Sequence, residues 1–230
     1  MAPARRRIDD LVSSRFEPPC PVCGRALAPT SVDESARLDP RNVYAATKVH
    51  QEQLGAAFAD ASGSDVVSLR YHNVYGPRMP RDTPYAPVAS IFRSACEAGK
   101  APKVFEDGRQ RRDFIHVSDV ARANLLALSA PAPVGGAYNI ATGQVTTVLD
   151  MARAICAGFT GSSAPPIVTG EFRLGDVRHV TASPQLARTT LGFATLIGPA
   201  DGLRDFATAP LRGSTRRASS GSRGAGRTAG

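Results

Sequence analysis

The run Asp65-Val-Val-Ser-Leu-Arg-Tyr71 constrains this chain most, because it is a short apolar stretch that reads as a strand buried on both faces. Such strands belong to parallel sheets, and parallel strands need helical crossovers. Segments of helical period stand on either side of it. Upstream, Val43, Ala46, Val49, Leu54, Ala57, Phe58 and Ala61 predict a helix from Asn42 to Ala61 with one buried stripe, ended by Ser62-Gly63. Downstream, Asn73-Val-Tyr-Gly-Pro77 reads as a loop, and a helix is predicted over 86–98 with Gly99 as its stop. Lys103-Val-Phe105 and Arg112 to Val117 then read as a hairpin about a turn at Asp107-Gly108, and Ser118 as the cap of a helix from Asp119 to Leu128. A strand at Ala137 to Ala141 follows. A helix from Val148 to Ala157 comes next, with Thr147 as N-cap and Asp150 at the capping-box position, and a last helix is opened by Ser183-Pro184 and closed by Gly192. The alternation gives an α/β class.

Composition sets the outer limits. The chain has 230 residues and 42% hydrophobic content, room for one or two domains. Residues 1–40 are rich in Pro, Arg and small polar residues and read as an irregular segment, 41–208 as the ordered body and 209–230 as a disordered Arg/Gly/Ser tail. No apolar run approaches the roughly 20 residues of a spanning helix, and the first residues lack a signal-peptide pattern, so no membrane partner and a cytoplasmic location are expected. The formal charge of +8 arises at the ends, from Arg5, Arg6 and Arg7 and from Arg212, Arg216, Arg217, Arg223 and Arg227. The body is therefore near neutral, and no nucleic-acid partner is expected.

Four cysteines follow no disulfide pattern. Cys96 and Cys156 fall in helical segments, where a thiol packs as a small hydrophobe. Cys20-Pro-Val-Cys23-Gly24 has the tight turn of a zinc knuckle, but the chain offers no second Cys-x-x-Cys or His pair. The metal reading is incomplete, and no bound metal is expected.

In Tyr44-Ala-Ala-Thr-Lys48 a helix places a phenol and an ammonium one turn apart on one face. An ammonium beside a tyrosine favours phenolate, which can take a proton from a sugar hydroxyl as a hydride leaves. The same spacing also suits a solvated helix face, so the neighbourhood decides. Three further segments follow in order: Leu69-Arg-Tyr-His-Asn-Val-Tyr-Gly-Pro-Arg78, Arg111-Arg-Asp-Phe-Ile-His-Val-Ser-Asp-Val-Ala121 and Arg173-Leu-Gly-Asp176-Val-Arg178. His116, in an apolar strand, reads as structural.

Together these segments resemble the extended short-chain dehydrogenase/reductase family of NAD-dependent nucleotide-sugar epimerases and dehydratases, over about residues 30–208 and nearest to its sugar 4-epimerases. Some of these 4-epimerases are similar also in a Cys-Pro-x-Cys-Gly insertion before the tyrosine. The resemblance implies the C-terminal part of a Rossmann-type fold: an incomplete parallel sheet with a small α/β substrate-binding subdomain. It implies Tyr44 as general base, Lys48 on the nicotinamide ribose, and Tyr71 and His72 against the nicotinamide side of NAD. It implies Asn73, Arg112, Arg173 and Asp176 on the phosphates and ribose of a nucleotide-diphosphate sugar, with Phe105 on the base. The implied activity is inversion at C4 of a dTDP- or UDP-sugar; 4,6-dehydration, decarboxylation or a silent remnant are the alternatives. Full-length members imply a homodimer.

Two departures stand beside the resemblance. Nowhere does a strand lead through Gly-x-x-Gly-x-x-Gly or Gly-x-Gly-x-x-Gly into a helix, so the turn that cradles a dinucleotide phosphate is missing and the chain is expected to be N-terminally truncated. Members also need a Ser or Thr near the tyrosine. Ser13 and Ser14 are the only nearby candidates, no apolar strand precedes them, and the partner is expected upstream of Met1. Asp33 and Glu34 are not assigned as acid/base carboxylates.

Overall fold

A computed structural model describes residues 3–81, 86–159 and 164–212, so the greater part of the expected tail lies outside the described residues. The first of its residues are paired: Arg212 bridges to Pro80, and Arg78 donates its amide to the Pro210 carbonyl at 2.7 Å. After the short helix α1 (Ile8–Val12), the long helix α2 (Val43–Ser62) starts where its sequence places it. The Asn42 side chain accepts from the Ala45 amide, and Gly63 stops the helix at φ 68°.

The face that α2 turns inward differs from the expected stripe. Val43 is 81% exposed and Phe58 60% exposed, and Leu54 is exposed as well. The half-buried positions are Ala45, Val49, Glu52, Gly55 and Ala59. Small residues let the helix lie close to the strand that follows, and Glu52 takes a two-pronged hydrogen bond from Arg70 at 2.9 and 2.7 Å. The larger apolar residues are thereby turned away from the described body.

The strand β1 (Val67–Tyr71) pairs in parallel with β6 (Gly136–Ile140) and is half-buried rather than buried on both faces, because β6 is its only ladder partner among the described residues. At His72 the chain changes neighbours. The His72 amide still donates to Ile140, the Asn73 amide already donates to Asp113, and β2 (Asn73–Tyr75) pairs in parallel with β5 (Phe114–His116). The segment read as a loop is thus a second strand, created by this exchange of partners. The helix α3 (Val88–Glu97) follows, as expected.

The expected hairpin does not form. Its turn is present, with Gly108 at φ 75° and the Gly108 amide on the Phe105 carbonyl, but its two arms pair elsewhere. β3 (Lys103–Val104) runs parallel to β8 (Ile167–Val168), and β4 (Arg111–Arg112) runs antiparallel to β7 (Thr146–Thr147). Helix α4 (Val117–Leu128) is capped by His116, whose Nδ1 accepts from the Ser118 amide, rather than by Ser118. Helix α5 (Val148–Gly158) keeps the expected Thr147–Asp150 cap. Helix α6 (Gln185–Leu191) ends at Gly192, and α7 (Pro199–Phe206) is an unanticipated helix that buries Leu203 and Phe206.

Alternate residues of β5 enter two cores, as the two-residue period of a strand requires. Phe114 joins Tyr75, Phe92, Val104, Met151, Ile155 and Phe206; Ile115 joins Val120, Tyr138, Ile140, Leu191 and Phe193. The β2–β5 pair therefore lies between two apolar clusters, an α/β arrangement.

The N-terminal segment is anchored by charge. Arg178, only 1% exposed at its side chain, donates to Glu17, Glu106 and Asp107 at 2.7 to 3.0 Å, and its guanidinium lies 5.8 Å from the centre of the Phe16 ring. Burial alone would raise the carboxyls of Glu17 and Asp107, but hydrogen bonds and charge from Arg178 outweigh it and hold both below their usual range. Replacing Arg178 by Ala removes the cation that three carboxylates share, leaving Glu106 to Arg6 and Glu17 to His179. The expected cost is about 3 kcal/mol in urea unfolding, the lower end for a buried pair because water still reaches Glu17 and Asp107. Since the folded pKa values are depressed, this contribution is present above the ordinary carboxylate range and is lost as pH falls below about 4. Amide exchange at Leu11 to Glu17 should accelerate over that window in the parent protein and be fast throughout in Arg178→Ala.

Candidate active site

Five of the residues singled out by sequence line one cavity of about 190 Å³: Asn73, Phe105, Arg112, Arg173 and Asp176. They come from β2, the turn before Gly108, β4 and the loop after β8. Arg173 lies over Phe105, its guanidinium carbon 5.4 Å from the ring centre, leaving a flat cation on a flat ring at the rim. Arg112 is held from behind. It donates to the carbonyls of Val177 and Arg178 at 2.7 and 2.8 Å, and to its neighbour Arg111. Burial pushes its guanidinium down from its ordinary value, against the opposing pull of Asp176 and Glu106. Asn73 donates its side-chain amide to the Asp113 carbonyl at 3.2 Å.

The Arg112-Asp113 dipeptide is no ion pair. Successive strand residues point to opposite sides, so Asp113 turns inward and accepts from Thr142 and Gly143 at 2.7 to 2.9 Å while Arg112 faces the cavity. Lys103, Glu106 and Gln110 also line the cavity and were not foreseen. The Gln110 side chain donates to Phe105 at 2.9 Å, while its oxygen is buried without a partner. Nothing in the local sequence distinguishes such a glutamine from a solvated turn residue. Its role comes from the path of the chain.

Tyr44 and Lys48 lie outside this lining, on α2. Lys48 Nζ is 5.6 Å from the centre of the Tyr44 ring and donates to Gln51 at 3.3 Å, so the two side chains share one exposed face. Tyr71 donates its hydroxyl to Asn124 at 2.9 Å. His72 is different: burial pushes its imidazole below the usual value, and its Nδ1 is buried with no hydrogen-bond partner. Tyr71, His72 and Asn73 are consecutive, and the Arg70–Glu52 pair ties their strand to α2. Both sets of residues are thereby attached to one strand.

The remaining candidates are structural or peripheral. Glu34 accepts the Asn139 amide at 2.7 Å, and Asp33 accepts from Ser35. Ser13 and Ser14 end α1. Cys20 and Cys23 lie on a hairpin closed by a Pro19–Ala26 bridge. The amide of Arg25, then its side chain and the Cys20 thiol, hydrogen-bond the Cys23 sulfur and lower its thiol below the usual value. No group of three or more His, Cys, Asp or Glu side chains able to hold a metal occurs among the described residues. No helix there is long and apolar enough to cross a membrane.

Comparison with known proteins bears on the family and the fold. The chain is 34% identical over 172 residues to a dTDP-L-rhamnose 4-epimerase of Burkholderia thailandensis, covering 74% of this chain and 46% of that one. Among solved structures it resembles UDP-N-acetylglucosamine 4-epimerase from Methanobrevibacter ruminantium in complex with UDP-N-acetylmuramic acid, with a TM-score of 0.70 and 31% identity over 76% of this chain and 56% of that one. It also resembles the Thermus thermophilus UDP-glucose 4-epimerase complex with NAD, with a TM-score of 0.64 and 29% identity over 77% and 58% of the two chains. The chain spans about half the length of the curated relatives it matches. Residues 20–141, which carry α2, the strand exchange at His72 and the Arg112 motif, match one family description, and the chain belongs to the NAD dependent epimerase/dehydratase family.

Proposed function

We infer that this chain carries the sugar-nucleotide side and the proton-transfer base of an NAD-dependent nucleotide-sugar 4-epimerase. The observation that carries this reading is the convergence of Asn73, Phe105, Arg112, Arg173 and Asp176 on one cavity. Arg173 and Phe105 line the cavity together and offer a planar base a flat ring with a cation beside it. Arg112 spends three of its five N–H groups on backbone carbonyls, which fixes the guanidinium and leaves the others for a phosphate oxygen. Asn73 and Lys103 add donors beside it. The oxygen of Gln110 is free to accept from an N–H of the base.

Tyr44, Lys48, Tyr71 and His72 are the residues that would hold the nicotinamide end of NAD. Tyr44 and Lys48 share an exposed face, and the unpartnered Nδ1 of His72 is a buried polar atom suited to a ligand hydrogen bond. Lys48 would hold the ribose hydroxyls, with Tyr71 and His72 lining the ring. When bound, NAD supplies a reversible hydride acceptor for the sugar carbon. Tyr44 takes the proton from the C4 hydroxyl and returns it after the sugar has turned over, so the net change is inversion at one carbon. The arginines grip the nucleotide diphosphate throughout, which leaves the sugar free to rotate.

Calorimetry with UDP and dTDP tests the cavity. Binding is expected for the parent chain, with a loss of about 10–100-fold in Arg173→Ala, the size of a charge-assisted contact. Equal affinity in the variant would place the nucleotide elsewhere. The same chain should bind NAD more weakly than micromolar, because its sequence has no glycine-rich phosphate turn, and micromolar affinity would refute that reading. In a protein that carries a glycine-rich half in addition, Tyr44→Phe should lower kcat by about 10²–10⁴-fold with KM for the nucleotide sugar little changed. Assays there with dTDP-rhamnose, UDP-glucose and dTDP-glucose separate the reactions: a stable 4-keto-6-deoxy product would make the chain part of a dehydratase.

A further inference from the structure

Arg6 carries one of the charges that make up the surplus at the chain ends, yet its side chain is only 10% exposed. Its Nη2 stands 2.8 Å from one carboxylate oxygen of Glu106, whose other oxygen pairs with Arg178 at the same distance. Its Nη1 donates to the backbone carbonyl of Asp176 at 3.2 Å. Glu106 follows Phe105 in the turn, and Asp176 closes the loop that begins at Arg173, its amide donating to the Arg173 carbonyl at 3.3 Å. One guanidinium thus joins the two segments that supply the ring and the cation at the rim of the cavity.

Both sides of this bridge are anchored. Before Arg6, the Arg41 side chain donates to the carbonyls of Pro3 and Ala4 at 2.7 and 3.4 Å, one residue ahead of the Asn42 cap of α2. After it, α1 buries Leu11. Arg6 is therefore delivered to the turn by a segment fixed on either side. Glu106 is the more constrained partner. It sits in the left-handed region at φ 54°, which a residue with a Cβ rarely adopts, and such a backbone persists only where its surroundings over-determine it. Ion pairs from Arg6 and Arg178, and the Glu106 amide on the Glu171 carbonyl at 2.7 Å, supply that determination. Arg178 ties Glu106 to Glu17 and Asp107, whereas Arg6 ties it to the loop of Arg173 and Asp176.

We propose that Arg6 is a positioning residue of the nucleotide cavity, setting the separation between the Phe105 ring and the Arg173 guanidinium so that a planar base fits against them. This role rests on the nucleotide reading of the cavity and goes beyond it by making the segment around residues 3–7 part of the binding machinery. Arg6 stands behind the lining and acts through Arg173 rather than on the ligand. A lysine in its place would neutralise Glu106 but would lack the second rigid arm that reaches the Asp176 carbonyl.

A double-mutant cycle on the full chain tests this role. UDP is titrated calorimetrically into the parent, Arg6→Ala, Arg173→Ala and the double variant, with urea unfolding run alongside. Arg6→Ala is expected to weaken UDP binding about 10-fold in the parent background and less than about twofold once Arg173 is already alanine, because its effect passes through that side chain. Without nucleotide, amide exchange at 171–177 should accelerate in Arg6→Ala and in Arg6→Lys. The lysine variant keeps a cation facing Glu106, so it separates a loosened loop from a chain that fails to fold. Full UDP affinity in Arg6→Ala, or a loss of equal size in both backgrounds, would overturn the positioning role, since an equal loss is what a merely structural residue produces. Unchanged exchange at 171–177 would overturn the bridge. No UDP binding by the parent would overturn the nucleotide reading and this role together, whereas parent binding with a silent Arg6→Ala overturns the role alone.

Discussion

The buried guanidinium of Arg178 is the interaction on which the cavity depends. It gathers Glu17 from the N-terminal segment and Glu106 and Asp107 from the turn before Gly108, and its own backbone carbonyl receives Arg112. Five N–H groups in a rigid plane can satisfy three carboxylates at once, which a lysine could not do. Four segments are thereby fixed relative to one another. The two arms of the turn are free to diverge to different strands because this charge cluster, and not a hairpin ladder, holds the turn.

The exchange of partners at His72 does for the sheet what Arg178 does for the loops. One extended run follows β6 and then β5, with Arg70 paired to Glu52 of α2 before the crossing point and Asn73 in the cavity lining after it. Tyr71 and His72 fall before the switch and Asn73 after it. Tyr44 and Lys48 on α2 and the cavity that Asn73 lines are thus linked through one extended run, with Arg70 and Glu52 fixing the helix to it.

Much of this was legible in the residues. Caps and stops were read correctly at Gly63, Thr147 and Gly192, since each depends on atoms within four residues of its own position. The paired arms around Asp107-Gly108 were misread because a turn signal specifies a reversal and says nothing of which strand lies alongside. The same limit hid α7 and the strand at Asn73. The apolar stripe of α2 was misplaced for a different reason: Val43, Leu54 and Phe58 are large, but the helix approaches β1 through Gly55 and Ala59, where size is least.

By itself the sequence determined the α/β class, the order of helices α2 to α6 and the motifs around Tyr44, Asn73, Arg112 and Arg173, because period, capping and motif spacing are properties of neighbouring residues. Only the tertiary structure decided that four of those motif positions and Phe105 share a cavity, that Gln110 joins them and that Tyr44 stands apart on an exposed face. Contacts such as Arg178 to Glu17 span 161 residues, and their existence depends on how every intervening element packs. No local pattern encodes that.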